Sequence, residues 1–127
     1  MLDIDHFKHI NDRWRHEAGD HALRAVATTV AAHARQQDLV ARSGGEEFCM
    51  LVPGLDPAAA SAYFETLRQR IDALQVQVGE QTLRITISIG LCRSDAQCDA
   101  LHPLLAEADK HLYLAKAGGR NRVEHAR

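Results

Sequence analysis

The stretch Ser43-Gly44-Gly45-Glu46-Glu47-Phe48 combines a turn signal with two adjacent carboxylates. Apolar runs at residues 39–41 and 48–52 flank it and predict two strands. Because Gly-Gly tolerates positive φ in a two-residue turn, the stretch predicts a β-hairpin with an acidic tip. Taken alone, this hexamer fits either a solvated acidic hairpin or a metal-binding tip.

A second acidic segment stands at the start of the chain, where a short apolar run leads into Asp3 and Asp5. Carboxylate oxygens are ligands that Mg²⁺ prefers, and Lys8, a few residues further on, is suited to phosphate. The two aspartates are two residues apart and share a face in extended backbone. By itself the pair fits a polar cluster at a strand end as well as a metal site, and the second acidic tip favours the metal site.

Composition predicts one soluble domain over residues 1–127. A net charge of −2 and a pI near 6.4 argue against a broad basic face for a nucleic acid polymer. Cys49, Cys92 and Cys98 show no C-x-x-C spacing, so we expect neither a disulfide framework nor a zinc ribbon. No apolar run of membrane-spanning length and no signal peptide is present, so we expect no membrane contact by this domain.

Hydrophobic periodicity predicts alternating helices and strands. We expect helices over residues 20–34, with Asp20 as N-cap, and over 57–74, with Asp56 as N-cap. Alternation over residues 83–89 predicts one strand with a single buried face, and residues 101–115 predict a helix that Gly118-Gly119 ends. A short last strand is expected at residues 122–124. Together with the hairpin, this pattern predicts an α+β fold with a mostly antiparallel sheet flanked by helices.

The sequence resembles the GGDEF family of diguanylate cyclases, in the variant with Glu at the third signature position. The family condenses two GTP molecules into cyclic di-GMP with release of pyrophosphate, on a palm-like, ferredoxin-related nucleotide-cyclase fold. The resemblance rests on four segments. The first is residues 3–8 with Asn11-Asp12 and Gly19-Asp20, the second is residues 44–48, and the third is residues 86–90. The fourth begins at residues 108–110 and continues through Leu112-Tyr113 and Ala115-Lys116 to residues 119–122.

The resemblance implies roles for individual residues. Asp3, Glu46 and the carbonyl of Ile4 match ligands of Mg²⁺ (or Mn²⁺), and Glu47 matches a metal ligand or proton acceptor, two roles between which the sequence does not decide. The matches to substrate-binding positions are Lys8, Lys116 and Arg120 for the phosphates, with the backbone N–H groups around His6 and Phe7, and Asn11 and Asp20 for guanine. Arg42, just before Ser43, is a further candidate for a contact with a phosphate or the product.

Arg35 and Asp38 match the R-x-x-D site through which members of the family are inhibited by cyclic di-GMP. Without that context, two such residues three apart at a helix end form a surface ion pair. The resemblance further implies a homodimer for catalysis, because each site holds one GTP, and an upstream sensory domain. It also implies a bacterial cytoplasmic setting, either free or as the cytoplasmic part of a membrane-anchored protein.

Two departures from the family pattern are visible. Members usually begin earlier, so we expect this chain to lack an N-terminal segment of the domain. Arg15 stands where the family usually has Gly, and we expect a local loop change there.

Two functions remain open: an active cyclase, or an inactive module that serves as a receptor for cyclic di-GMP or GTP. Degenerate modules generally lose a hairpin carboxylate or the metal-binding aspartate, and this chain retains Asp3, Glu46 and Glu47.

Overall fold

The computed structural model describes residues 1–94 and 100–126, so Cys98 lies outside the described residues. Cys49 forms no disulfide with another described residue. The elements, in chain order, are β1 (Leu2–Ile4), α1 (Phe7–His33), β2 (Leu39–Arg42), β3 (Glu47–Leu51), α2 (Pro57–Asp72), β4 (Val76–Val78), β5 (Gln81–Leu83), β6 (Ile87–Leu91), α3 (Leu101–Ala117) and β7 (Arg122–His125).

Five strands form the central sheet in the order β2-β3-β1-β6-β7. All neighbours in this sheet are antiparallel except β6 and β7, which are parallel. Strands β4 and β5 form a separate two-stranded sheet. The predicted α+β fold with a mostly antiparallel sheet is confirmed, and β1 lies near its centre with a neighbour on each side.

The sheet is covered by helices whose packing follows the alternation of side chains along β6. Ile87 and Ile89 are buried in the core cluster, to which α1 and α2 contribute. Gly90 faces α3 so closely that a Cβ there would lie 2.1 Å from the carbonyl oxygen of Ala108. Only glycine permits this approach, and it brings the C-terminal half of α3 over β6.

The hairpin differs from the predicted two-residue turn. Arg42 is opposite Phe48, and the N–H of Ser43 donates to the carbonyl of Glu47 at 2.9 Å, so residues 44–46 form a three-residue loop. Neither glycine of the loop has positive φ. The prediction was wrong because contacts outside the loop shape it: the N–H of Ile4 donates to the carbonyl of Glu46 at 3.2 Å, and Arg42 donates to both glycine carbonyls.

Helix α1 begins well before the predicted start, so Asp20 lies inside it and is not an N-cap. Phe7, Ile10 and Trp14 pack against the core, which explains why the chain is already helical there. The helix is interrupted at Arg15, where φ is 73° and ψ is 169°. The expected local loop change relative to the family stays a prediction.

The predicted strand over residues 83–89 is divided in two. Leu83, Ile85, Ile87 and Ile89 are all buried, as the alternation predicted. Residues 84–86 pair with none of the described strands, however, and β5 joins β4 while β6 joins the central sheet. The alternation of apolar and polar residues indicates that one face is buried, but it does not indicate which strand lies alongside.

The remaining predicted elements are confirmed. The Asp56 carboxylate caps α2 by accepting from the N–H of Ala59 at 2.8 Å, although the helix ends two residues earlier than predicted. Helix α3 ends at Ala117 with Gly118 as its C-cap, and β7 follows it. Within residues 1–94 and 100–126, no helix is long and apolar enough to cross a membrane.

Candidate active site

A cleft of about 460 Å³ lies where β1 ends and α1 begins. The hairpin tip borders it on one side and the C-terminal end of α3 on the other. Most of the residues predicted to bind metal or phosphate line this cleft. They are joined there by Asp5, which the sequence offered as a metal-site candidate together with Asp3, and by His9 and Asp12, which sequence reasoning had not placed in a site. The predicted residues in its wall are Asp3, Ile4, His6, Phe7, Lys8, Glu46, Lys116 and Arg120.

The centre of the cleft is the carboxylate of Asp3. This residue is buried in β1, and its Oδ2 atom accepts from the ammonium of Lys116 at 2.5 Å. Its Oδ1 atom is buried and has no hydrogen-bond partner among the residues that the structure describes. A buried carboxylate oxygen without a donor is costly, so this atom is available to a further ligand.

Two more carboxylates adjoin Asp3. Glu47 is directly opposite it in the register of β1 and β3, and Glu46 precedes Glu47 at the hairpin tip. Burial, followed by the negative charge of Asp3, raises the pKa of Glu46. Burial also raises the pKa of Glu47, with added repulsion from Asp109 and Asp3. Lys116 opposes both shifts, but one ammonium does not compensate the cluster of acids.

These groups fit a divalent cation. The unpaired Oδ1 of Asp3 supplies a hard oxygen ligand, and the mutual repulsion between Asp3 and Glu46 would be relieved by added positive charge. Within the described ranges, no group of three or more His, Cys, Asp or Glu side chains is arranged to hold a metal ion. The fit therefore rests on two carboxylates and a backbone carbonyl, the set predicted for Asp3, Glu46 and Ile4.

The opposite part of the cleft is suited to an anion. His6 precedes α1 in a left-handed conformation and makes no side-chain capping bond, so within the described residues the N–H groups of the first turn are available to another acceptor. Phosphate binds well at such a helix N-terminus. Lys8 lies in the same turn, and Arg120, from the turn after α3, lines the same cleft.

The predicted guanine-binding residues Asn11 and Asp20 both belong to α1 but do not line this cleft. The side chain of Asn11 lies against Gly19, where a Cβ would be 1.8 Å from the Asn11 Oδ1 atom. Asp20, the residue after Gly19, is exposed. The break at Arg15 lies between the two segments that meet in this way.

Arg42 is placed beside the hairpin tip, where its guanidinium donates to the carbonyls of Gly44 and Gly45 at 3.1 and 2.7 Å. It holds the loop that carries Glu46. Its predicted contact with phosphate or product stays a prediction.

Arg35 and Asp38 bind each other. The Arg35 guanidinium donates to both oxygens of Asp38, whose side chain has no exposed surface, and Tyr63 donates its hydroxyl to the same carboxylate at 2.8 Å. The Arg35 guanidinium also donates to the carbonyl of Pro53 and lies 5.7 Å from the centre of the Tyr63 ring. The geometry is that of a satisfied ion pair, and the inhibitory role of these residues stays a prediction.

Asp5 has a different environment from Asp3, although the sequence suggested a shared face. It follows the end of β1 and is buried, accepting from the hydroxyls of Thr86 and Ser88 at 2.6 Å each and from the N–H of Asn121 at 2.9 Å. Its partners are more than eighty residues away in the chain. Local spacing gave no signal of these bonds.

Comparison with known proteins finds relatives that cover nearly the entire chain. Residues 1–122 match the family model described as Diguanylate cyclase, GGDEF domain. The chain is 37% identical over 123 residues to Diguanylate cyclase A of Treponema denticola, covering 97% of this chain and 33% of that protein. It is 40% identical over 125 residues to the response regulator PleD of Caulobacter vibrioides, covering 97% of this chain and 28% of that protein. The chain thus spans about a third or less of these curated relatives.

Solved structures give the same result for the fold. The GGDEF domain of DgcB from Caulobacter crescentus, in complex with c-di-GMP, superimposes with a TM-score of 0.92 at 35% identity, covering 98% of this chain and 74% of that one. The active GGEEF domain of a diguanylate cyclase from Vibrio cholerae gives a TM-score of 0.85 at 31% identity, covering 99% and 80%. This chain therefore belongs to the GGDEF-domain family of diguanylate cyclases.

Proposed function

We propose that this domain condenses two molecules of GTP into cyclic di-GMP and releases pyrophosphate. The observation that carries the proposal is the pairing, in one cleft, of a carboxylate cluster around the unpaired Oδ1 of Asp3 with the uncapped N-terminus of α1. The first half suits a metal ion, and the second suits phosphates. A metal-bound triphosphate needs both.

The cleft's own residues divide the work of binding the triphosphate. Asp3, Glu46 and the Ile4 carbonyl would hold Mg²⁺ (or Mn²⁺), which neutralises the triphosphate and promotes attack on the α-phosphorus. Lys8, Arg120 and the N–H groups of the first turn of α1 would orient the phosphate oxygens. Since burial and Asp3 raise the pKa of Glu46, its ionised form gains from any cation that binds beside it.

Lys116 and Glu47 both lie beside Asp3, where one would contact the phosphates and the other would accept a proton. Lys116 neutralises Asp3 in this structure and would contact the phosphates when the site is loaded. Burial and two neighbouring acids raise the pKa of Glu47, which suits a residue that accepts the proton of a 3′-hydroxyl.

Base selection would come from Asn11 and Asp20. The Asn11 amide can serve both acceptor and donor positions on guanine, and the Asp20 carboxylate can accept from N1–H and the exocyclic amine. The Asn11 amide packs closely against Gly19, which supports a fixed orientation for that side chain. Adenine presents a different donor pattern and would be disfavoured.

Cyclic di-GMP contains two phosphodiester bonds, and each would form between the hydroxyl of one GTP and the α-phosphorus of the other. A cleft that holds one GTP therefore requires a second copy facing it, and we propose a homodimer brought together by an upstream sensory domain. Product inhibition would use Arg35 and Asp38, and a ligand at this site would exchange its own bonds for those between the two side chains.

The test is product formation, resolved by mass, from GTP and Mg²⁺ with this chain fused to a dimerising coiled coil. Cyclic di-GMP that is absent from the matched Glu46→Gln variant supports the cyclase. A folded dimer that binds cyclic di-GMP but makes none contradicts the proposal and favours the receptor function.

A further inference from the structure

We propose that Asp5 is a positioning residue of the cleft: by binding the main-chain amide of Asn121, it fixes the turn that carries Arg120. The inference rests on the proposed function in that it assigns Arg120 to the phosphates. Asp5 would act entirely through this turn, without contact to the nucleotide.

The first step concerns the bonds of the Asp5 carboxylate. Its Oδ1 atom accepts from the hydroxyl of Ser88, and its Oδ2 atom accepts from the hydroxyl of Thr86 and the N–H of Asn121. The main-chain N–H of Asp5 donates to the Thr86 carbonyl at 2.9 Å, which fixes the position from which the side chain extends. Both carboxylate oxygens are occupied, so Asp5 is poorly suited to be a metal ligand, in contrast to Asp3.

The second step concerns the turn between α3 and β7. Arg120 and Asn121 have φ values of 64° and 46°, so two consecutive residues with side chains adopt the left-handed conformation. Residues that carry a Cβ disfavour this region, and a pair of them needs compensating contacts. The N–H of Arg120 donates to the Ala115 carbonyl at 2.9 Å, and the N–H of Asn121 donates to Asp5.

The third step is that Asn121 is held from the other side as well. Its side-chain oxygen accepts from Arg68 at 2.8 Å, and its side-chain nitrogen donates to Asp72 at 3.3 Å. The turn is therefore tied to the end of β1 through its backbone and to α2 through its side chain. Residue 120, between these ties and α3, has little freedom, and its side chain lines the cleft.

The experiment is a double-mutant cycle between Asp5→Asn and Arg120→Ala in this chain. The probe is the GTP analogue with a methylene group between its α and β phosphates, with Mg²⁺, titrated calorimetrically. We expect each single variant to bind about tenfold more weakly, the size expected when one charge-assisted contact is lost. The double variant should bind no more than about twofold more weakly than Arg120→Ala.

The matched control is Ser88→Ala, which removes a donor from the Asp5 oxygen that does not face Asn121. It should leave affinity within about twofold even if it lowers the melting temperature. The proposal would be overturned if the losses of affinity in the two single variants multiply in the double variant. It would also be overturned if Asp5→Asn binds the analogue with unchanged affinity. If Asp5→Asn does not fold, Asn121→Ala loosens the turn from the α2 side, and its effect must likewise vanish in the Arg120→Ala background.

A second readout separates this inference from the proposed function. Amide hydrogen exchange of residues 118–122 should be faster in Asp5→Asn than in the unchanged chain, whether or not the chain binds the nucleotide. Failure of the unchanged chain to bind the analogue contradicts the proposed function alone. Unchanged exchange at Asn121 contradicts the positioning role.

Discussion

The ammonium of Lys116 lies 2.5 Å from the Oδ2 atom of Asp3, while the Oδ1 atom of the same carboxylate has no donor within the described part of the chain. Two residues 113 positions apart thus share one charge-assisted bond at the centre of the cleft. The bond neutralises a buried acid and leaves half of its acceptor capacity unused. In the proposed function, the stability of the domain and the binding of a metal ion would therefore depend on the same carboxylate.

Lys116→Met should destabilise the fold, because it leaves the Asp3 carboxylate buried without a cation. We expect the free energy of unfolding in urea at pH 7 to fall by about 2 kcal/mol. Lys110→Met, on the same helix, is the control: Lys110 is largely exposed, and its pair with Glu107 at 3.3 Å should contribute less than about 0.5 kcal/mol. Equal losses in both variants would show that Asp3 does not depend on Lys116.

Glu46→Gln should stabilise the domain at neutral pH while abolishing metal-dependent product. Because the pKa of Glu46 is raised in the fold above its ordinary 4.5, its ionised form is the less stable one there. As the pH falls from neutral toward 4.5, Glu46 takes up its proton, and the stability of the unchanged protein should rise relative to that of the variant.

Melting temperatures of both proteins at pH 7 and pH 5 measure this effect, with the exposed Glu80→Gln as control. A Glu46→Gln variant that is less stable than the unchanged protein at pH 7 would contradict the prediction.

Sequence patterns predicted most elements of this fold because burial and helix ends leave local signals. The N-cap of α2 and the end of α3 are of this kind. The length of the hairpin loop was not predictable, because it depends on Ile4, more than forty residues away. Asp3 and Asp5 likewise differ in environment because Asp5 accepts hydrogen bonds from donors in β6 and in the turn before β7, which no local spacing reveals.

Gly19→Ala should weaken guanine recognition by displacing the side chain of Asn11. A Cβ at this position would lie 1.8 Å from the Asn11 Oδ1 atom, so the amide must leave its seat. Binding of the GTP analogue should fall about tenfold, and preference over the corresponding ATP analogue should fall with it. Asn11→Ala should have a similar effect, and adding Gly19→Ala to it should change nothing further. A multiplied loss in the double variant would contradict this.

Asp38→Asn should remove a component of stability that depends on pH. The Arg35 guanidinium, helped by the Tyr63 hydroxyl, lowers the pKa of Asp38 from 3.8 to about 2. A carboxyl with a depressed folded pKa stabilises the fold above its unfolded pKa, and this stabilisation is lost as the pH falls from about 4 to about 2.

Urea unfolding at pH 7 should show a loss of at most about 2 kcal/mol in Asp38→Asn. The difference from the unchanged protein should narrow at pH 3. A difference that is the same at both pH values would mean that Arg35 does not hold Asp38 in its ionised form.

Arg15→Gly should stabilise the domain, although glycine inside a helix is ordinarily destabilising. Arg15 is exposed and has φ 73° and ψ 169°, a conformation that glycine adopts readily and that costs other residues about 1–3 kcal/mol. Allowing for the greater freedom of glycine in the unfolded chain, we expect a net gain of about 1 kcal/mol in urea unfolding. Arg24→Gly, at an exposed position with regular helical geometry in the same helix, should instead lose about 1 kcal/mol. The opposite signs are the test, because equal losses would mean that the break at residue 15 stores no strain.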